Sequence, residues 1–102
     1  MRPTLKQLEY LVAIAETGKY GEAAKRVNVS QSSLSTQIAD MEEELGTRLL
    51  ERGRHGAVLT PTGRDIVVRA RYILRQVEEL HTLSRQSEED FKGRINLGVL
   101  PS

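Results

Sequence analysis

The stretch from Val29 to Gly46 places short hydrogen-bonding side chains where a solvated helix normally carries Lys and Glu. Its apolar residues recur at helical spacing and predict one amphipathic helix over 31–45, with a stripe formed by Leu34, Ile38, Met41 and Leu45. On a helical wheel, the opposite face and its edges carry small polar residues, namely Gln31, Ser32, Ser35 and Thr36. These groups donate and accept hydrogen bonds, so the face suits recognition of a patterned polar surface.

Two local signals position this helix. Ser30 is a good N-cap, because its hydroxyl can accept a hydrogen bond from a backbone amide in the first turn. A short helix is predicted over Gly21 to Val27, and with Ala23 and Ala24 turned inward it would cross the helix 31–45 closely. Asn28, between the two helices, can take the left-handed conformation. This layout predicts a helix-turn-helix, which can project the first turns of its second helix into a DNA major groove.

An earlier helix is predicted from the capping box of Thr4 and Gln7 to a stop at Gly18. Its apolar face would be formed by Leu5, Leu8, Val12 and Ala15. Tyr10 and Ile14 fall on the opposite side of the wheel. They are either scattered surface residues, which are normal, or a second contact face.

A hairpin is predicted after the amphipathic helix. Arg48 to Arg52 and Ala57 to Leu59 can be short strands, and the segment 53–56 between them forms a tight turn bounded by glycines. Arg54 at its tip could enter a minor groove or bind a phosphate, as the wing of a winged helix-turn-helix does. The alternative is a solvated turn arginine.

A long helix is predicted from Pro61 to about Ser87, with Thr60 as its N-cap. Apolar residues step along it by 4, 3, 4 and 3, a heptad seam of Ile66, Ala70, Ile73, Val77 and Leu80. The whole stripe could pack on the chain's own core, but so long a stripe exceeds what a small three-helix body can cover. We therefore expect a homodimer through this helix, with Tyr10 and Ile14 of the partner's first helix as further contacts.

The composition bounds the remaining possibilities. The 102 residues are 38% hydrophobic and 28% charged, with a net charge of +1 and no cysteine. No apolar run approaches the roughly 18 residues of a membrane span. His55 and His81 lie far apart without an acid or nucleophile at useful spacing, so we predict no catalytic residue, no metal and no cofactor. These features suit a cytoplasmic protein, and the predicted DNA binding would make it nucleoid-associated.

The combined motifs resemble the N-terminal region of LysR-type transcriptional regulators. The resemblance rests on the alanine pair, on "VSQSSLSTQIADMEEELGTRLLER" and on "LTPTG", and it extends over essentially the whole chain. Within the family, "LEYLVAIAE" and "GRINLGVLPS" are similar to the peroxide-responsive OxyR branch. The resemblance to the LysR-type family implies a mainly α fold with three parts. These are a winged helix-turn-helix over 1–60, a linker and dimerisation helix over 61–89, and a hinge with the first strand of an effector-binding domain over 90–102. A small-molecule or redox effector would bind only in that absent domain, and dimers would pair further into tetramers.

Carried over by position, the family's base and phosphate contacts would fall on Gln31, Ser32, Ser35, Thr36 and Gln37, with Arg54 or His55 at the wing. The family often has arginine where this chain has Thr36, so adenine or thymine contacts become more plausible than guanine contacts. A pure dimerisation module would leave the polar face and the arginine hairpin without a purpose. A single-stranded nucleic acid binder would need stacking aromatics, which are sparse and scattered here.

Overall fold

The computed structural model describes residues 3–96, with side chains to residue 92. The chain is mainly helical and carries a small antiparallel hairpin before one long helix, which confirms the predicted winged helix-turn-helix fold. The elements in chain order are α1 (Leu5–Thr17), α2 (Tyr20–Arg26), α3 (Gln31–Leu45), β1 (Leu50–Gly53), β2 (Gly56–Leu59) and α4 (Pro61–Asn96).

Helix α1 lies at the centre and contacts α2, α3 and α4. Because it is covered on several sides, Tyr10 and Ile14 are buried at 7% and 1% exposure. They therefore form the second contact face that was one of the two alternatives, but within the chain's own core and not against a partner's helix; the surface alternative was wrong. Leu5, predicted for the apolar face, is instead 45% exposed. A helical wheel that assumes one apolar face does not predict burial correctly for a helix that packs against three neighbours.

The helix-turn-helix forms through the predicted local signals. Ala23 and Ala24 are buried where α2 meets α3. Asn28 has a φ of 62° in the turn, the left-handed conformation that Asn tolerates. The Ser30 hydroxyl accepts a hydrogen bond from Ser33 N at 3.1 Å and caps α3, which ends at Gly46 with a φ of 68°.

The wing is docked to α1 by backbone contacts. Strand β1 pairs with β2 in antiparallel register, with Leu50 opposite Leu59. Ala57 N donates a hydrogen bond to Gly18 O at 2.9 Å, at the C-terminus of α1. A Cβ atom on Gly56 would collide with that same carbonyl oxygen, so only glycine permits this approach.

Helix α4 starts as predicted, since Gly63 N donates to the Thr60 hydroxyl at 2.9 Å. It continues to Asn96, so the predicted end near Ser87 was too early. The first part of the segment 90–102, predicted as a hinge and a strand, is therefore helix as far as Asn96, and the rest of that segment lies outside the described residues.

The heptad seam on α4 is divided between two environments. Ala70 is 1% exposed and packs in the domain's own core beside Val67, and Ile66 is partly buried against it. The prediction that Ala70 contacts a partner was therefore wrong, because α1 already covers this part of the helix. Farther along, Ile73 and Leu80 are 40% and 65% exposed. Only the later part of the seam is free among the described residues.

Candidate nucleic-acid interface

The polar face of α3 is accessible where it was expected. Gln31, Ser32 and Thr36 are exposed, and Ser35 and Gln37 are half-buried at the edges. Leu34, Ile38 and Met41 on the opposite side lie in the core. This burial fixes the rotation of α3 about its own axis, and hence which side chains face outward.

The hydroxyls on this face are partly committed within α3. Thr36 Oγ1 donates its proton to Ser32 O at 2.9 Å, one turn back. Ser32 Oγ lies 3.3 Å from Ser30 Oγ, the capping hydroxyl. Thr36 therefore offers a ligand its methyl group and the oxygen lone pairs, but not its hydroxyl proton.

The edge residue Gln37 is tied to α1. Its Oε1 accepts a hydrogen bond of 3.2 Å from Nε2 of Gln7, a buried residue 30 positions earlier. Sequence reasoning found Gln7 as part of a helix cap, and the structure confirms that cap, but it missed this second contact. The contact between Gln7 and Gln37 could not be predicted, because the two residues are 30 positions apart in the sequence.

Of the three glutamates at the end of α3, Glu42 has structural partners. Glu42 Oε2 accepts hydrogen bonds from Leu49 N at 2.7 Å and Leu50 N at 3.3 Å, and it lies 3.8 Å from Arg48 Nε. Arg48 offsets part of the charge of Glu42 at this longer distance. The shorter contacts are to the backbone of the wing, so Glu42 joins α3 to β1.

The wing places a basic turn at the surface. Arg54 and His55 are both exposed in the turn between β1 and β2. Beside the turn, a small cleft is lined by Tyr20, Gln31, Arg52, Gly53 and Gly56. The cleft joins the N-terminus of α3 to the wing, so the turn and the polar face belong to one continuous surface.

Sequence reasoning did not single out Tyr20 as part of this surface. Burial raises the pKa of the Tyr20 phenol above its ordinary value of 10.0, and the Glu42 carboxylate raises it further. Arg52 and Arg48 act in the opposite direction. The phenol is therefore neutral at physiological pH and can both donate and accept a hydrogen bond beside Gln31.

Among residues 3–96, no three His, Asp or Glu side chains lie close enough together to hold a metal ion. Over the same range, every helix is too short or too polar to cross a membrane.

The sequence profile of the bacterial regulatory helix-turn-helix proteins of the lysR family matches residues 5–64. The chain belongs to the LysR family. The matched range covers α1 to the start of α4, which is the helix-turn-helix and its wing. This LysR-family chain is a helix-turn-helix DNA-binding domain, and the predicted resemblance is confirmed.

Two curated relatives are longer than this chain. The transcriptional regulator EstR of Acinetobacter baylyi is 44% identical over 100 residues, which is 98% of this chain and 33% of EstR. The dual regulator OxyR of Escherichia coli K12 is 40% identical over 98 residues, or 96% of this chain and 32% of OxyR. The chain thus spans about a third of the length of these relatives.

A solved LysR-family structure has the same fold. The crystal structure of the CbnR DNA-binding domain in complex with DNA is 38% identical and superimposes with a TM-score of 0.77, covering 83% of this chain and 98% of that one. At this identity the fold and the family agree. The individual contact residues in this chain stay predictions.

Proposed function

We propose that this domain binds duplex DNA sequence-specifically, with α3 in the major groove and the wing turn 53–56 at the minor groove or the backbone. The observation that carries the proposal is one continuous surface, on which the polar face of α3 borders an exposed turn bearing Arg54 and His55. A groove about 12 Å wide admits an α-helix, and a basic hairpin beside it can reach the flanking strand. The CbnR domain, which has the same fold, has been crystallised in complex with DNA, and this supports DNA binding as the function.

The side chains then divide into two roles. Ser32 and Thr36, with Gln31 and Ser35 at the edges, would meet base edges or thymine methyl groups. Arg54 would supply charge to the backbone or to a narrow minor groove, and His55 lies beside it. The role is binding and not catalysis, because His55 and His81 lie on separate elements and neither has a hydrogen-bond or ion-pair partner among the described residues that would make it a general base.

In the longer protein, we infer a transcriptional regulator that acts as a homodimer through α4. The later seam of Ile73, Val77 and Leu80 would form the contact, and dimers could pair into tetramers. An effector, small-molecule or redox, would bind outside this domain, and the division into 1–60, 61–89 and 90–102 is proposed on the same basis. Binding to chromosomal DNA would keep the protein in the bacterial cytoplasm.

Selection of preferred sequences from a random duplex pool tests the reading role directly. We expect two symmetric half-sites, one for each copy in a dimer. Thr36→Ala should reduce discrimination at one base-pair position by about 1 kcal/mol and leave non-specific affinity almost unchanged, because no charge is lost. If Thr36→Ala weakened all duplexes equally, Thr36 would only position the backbone.

The salt dependence of binding tests the wing. Arg54→Ala should lower affinity on every sequence and flatten the slope of log K against log[salt] by about one unit. Arg85→Ala is the matched control, since Arg85 is exposed on α4 far along the chain from the wing. An unchanged slope for Arg54→Ala would remove Arg54 from the interface.

A further inference from the structure

A chain of three hydrogen-bonding groups links the start of α1 to the middle of α3. The backbone N–H of Thr4 donates to Gln7 Oε1 at 3.0 Å. Nε2 of Gln7 donates to Gln37 Oε1 at 3.2 Å. Gln7 is only 6% exposed, so its amide is held away from solvent by these contacts.

The direction of this chain follows from its first member. A backbone N–H can only donate, so Gln7 must turn its carbonyl oxygen toward Thr4 and its NH₂ group toward Gln37. The oxygen and nitrogen of an amide are otherwise easily exchanged, and here the backbone removes that ambiguity. Gln37 must then turn its own oxygen inward. Its NH₂ group has no hydrogen-bond acceptor among the described residues.

We propose that Gln7 is a positioning residue that makes Gln37 meet DNA as a hydrogen-bond donor only. The inference rests on the proposed function, because it requires α3 to enter the major groove. A donor-only amide at the edge of α3 selects acceptor atoms, such as a phosphate oxygen, a purine N7 or a thymine O4. It cannot form the bidentate pair with adenine, which uses the oxygen and the nitrogen of one amide together.

The competing role for Gln7 is purely structural, as the cap of α1. Gln7 does close the capping box, because its own N–H donates to Thr4 Oγ1 at 3.1 Å. If Gln7 is only a cap, a Gln7 substitution lowers stability, and its effect on DNA affinity should be the same with or without Gln37. If Gln7 positions Gln37, the effect on DNA affinity should depend on Gln37.

Gln7→Glu separates these two roles. The carboxylate still accepts from Thr4 N, so the cap is kept, but its second oxygen can no longer donate to Gln37. Gln37 would turn its NH₂ group inward to this oxygen and present its carbonyl outward. The added negative charge lowers DNA affinity by itself, and it does so equally when Gln37 is replaced by methionine.

The experiment is a double-mutant cycle of Gln7→Glu and Gln37→Met, with affinity measured on the duplex that the unmodified chain selects from a random pool. We expect Gln7→Glu to reduce affinity about five- to tenfold more when Gln37 is present than in the Gln37→Met background. Gln7→Met leaves the Gln37 amide free to take two orientations and should cost only about twofold. Equal losses of DNA affinity with and without Gln37 would mean that Gln7 acts only as a helix cap.

The acceptor on the DNA is identified by altering the duplex. If the partner is a phosphate, one methylphosphonate substitution should abolish the difference between the two backgrounds. If the partner is a base, one base-pair change in the half-site should abolish it instead. A difference that survives every such substitution would mean that Gln37 does not touch the DNA, and the proposal would fail.

The polarity can also be measured in the unmodified chain, which covers the case that the Gln7 variants do not fold. Side-chain amide exchange by NMR should show one slow Gln7 Nε2 proton and two fast Gln37 protons, and DNA should slow the latter. The reverse pattern would overturn the proposal. If the unmodified protein selects no DNA sequence at all, the proposed function is wrong. If it binds selectively but Gln7→Glu lowers affinity equally with and without Gln37, only the inference about Gln7 is wrong.

Discussion

Glu42 Oε2 lies 2.7 Å from the backbone nitrogen of Leu49 and accepts its hydrogen bond. Leu49 is fully buried, at 0% exposure, and its amide lies just before β1 begins. The same oxygen accepts from Leu50 N at 3.3 Å. One carboxylate on α3 thus accepts from two backbone amides at the start of the wing, and it joins the two parts of the proposed interface.

Removing this carboxylate should destabilise the domain. Glu42→Ala leaves the Leu49 amide without an acceptor in the core, and we expect a loss of about 1–3 kcal/mol in the free energy of unfolding. Chemical denaturation followed by circular dichroism measures the loss. Glu43→Ala removes an exposed neighbour on the same helix and should change stability by less than about 0.5 kcal/mol. Similar losses for both variants would contradict the assigned role of Glu42.

Gly63 permits α4 to pass close to the segment before β1. A Cβ atom at this buried position would collide with the carbonyl oxygen of Leu49, which also accepts from Thr60 N at 3.0 Å. Gly63→Ala should therefore destabilise the fold by about 1–3 kcal/mol. Gly21→Ala, in α2 with room for a methyl group, should instead stabilise by about 0.4–1 kcal/mol. Thermal unfolding of the two variants should shift in opposite directions.

The committed hydroxyl of Thr36 predicts which part of this side chain reads DNA. Because Oγ1 donates to Ser32 O, the methyl group is the freer contact. Thr36→Val keeps the methyl group and should retain the base preference at its position, whereas Thr36→Ser should lose about 1 kcal/mol of discrimination. Selection from a random duplex pool compares the two. Loss of preference in Thr36→Val but not in Thr36→Ser would assign the contact to the hydroxyl oxygen.

The exposed later seam of α4 predicts where dimerisation can be broken without harm to the fold. Leu80→Asp places a charge on a side chain that is 65% exposed in one copy, and it should yield monomers in sedimentation velocity. Val68→Asp is the matched control, because Val68 is 66% exposed on another face of the same helix. A dimer that survives Leu80→Asp, or an unmodified chain that is monomeric at high micromolar concentration, would rule out this seam.

The raised pKa of Tyr20 predicts a loss of stability in alkali. Below the unfolded-state pKa of about 10, the phenol is neutral in both states and its full contribution is present. As pH rises from there through the higher folded-state pKa, the unfolded chain ionises first and stability falls. Tyr20→Phe should reduce the slope of unfolding free energy against pH above about 10. Tyr72→Phe, at an exposed position, is the control, and equal slopes in all three proteins would contradict the prediction.

The sequence by itself determined the elements and the face that α3 presents. Helix caps and apolar periods depend on residues three or four positions apart, so Ser30, Gly18 and Gly46 could be assigned before any packing was known. The end of α4 was misplaced because an exposed helix needs no apolar period. The segment after Ser87 has four residues that favour helix without a buried face, Glu88, Glu89, Lys92 and Arg94.

Only the tertiary structure decided which apolar residues are buried and how the polar groups are oriented. Tyr10 and Ala70 became core residues because α1 is covered on several sides, which depends on the angles between helices and not on spacing along the chain. The contacts from Gln7 to Gln37 and from Glu42 to Leu49 join separate elements. Such contacts depend on how the hydrophobic core fixes the helix positions, so no local sequence pattern can predict them.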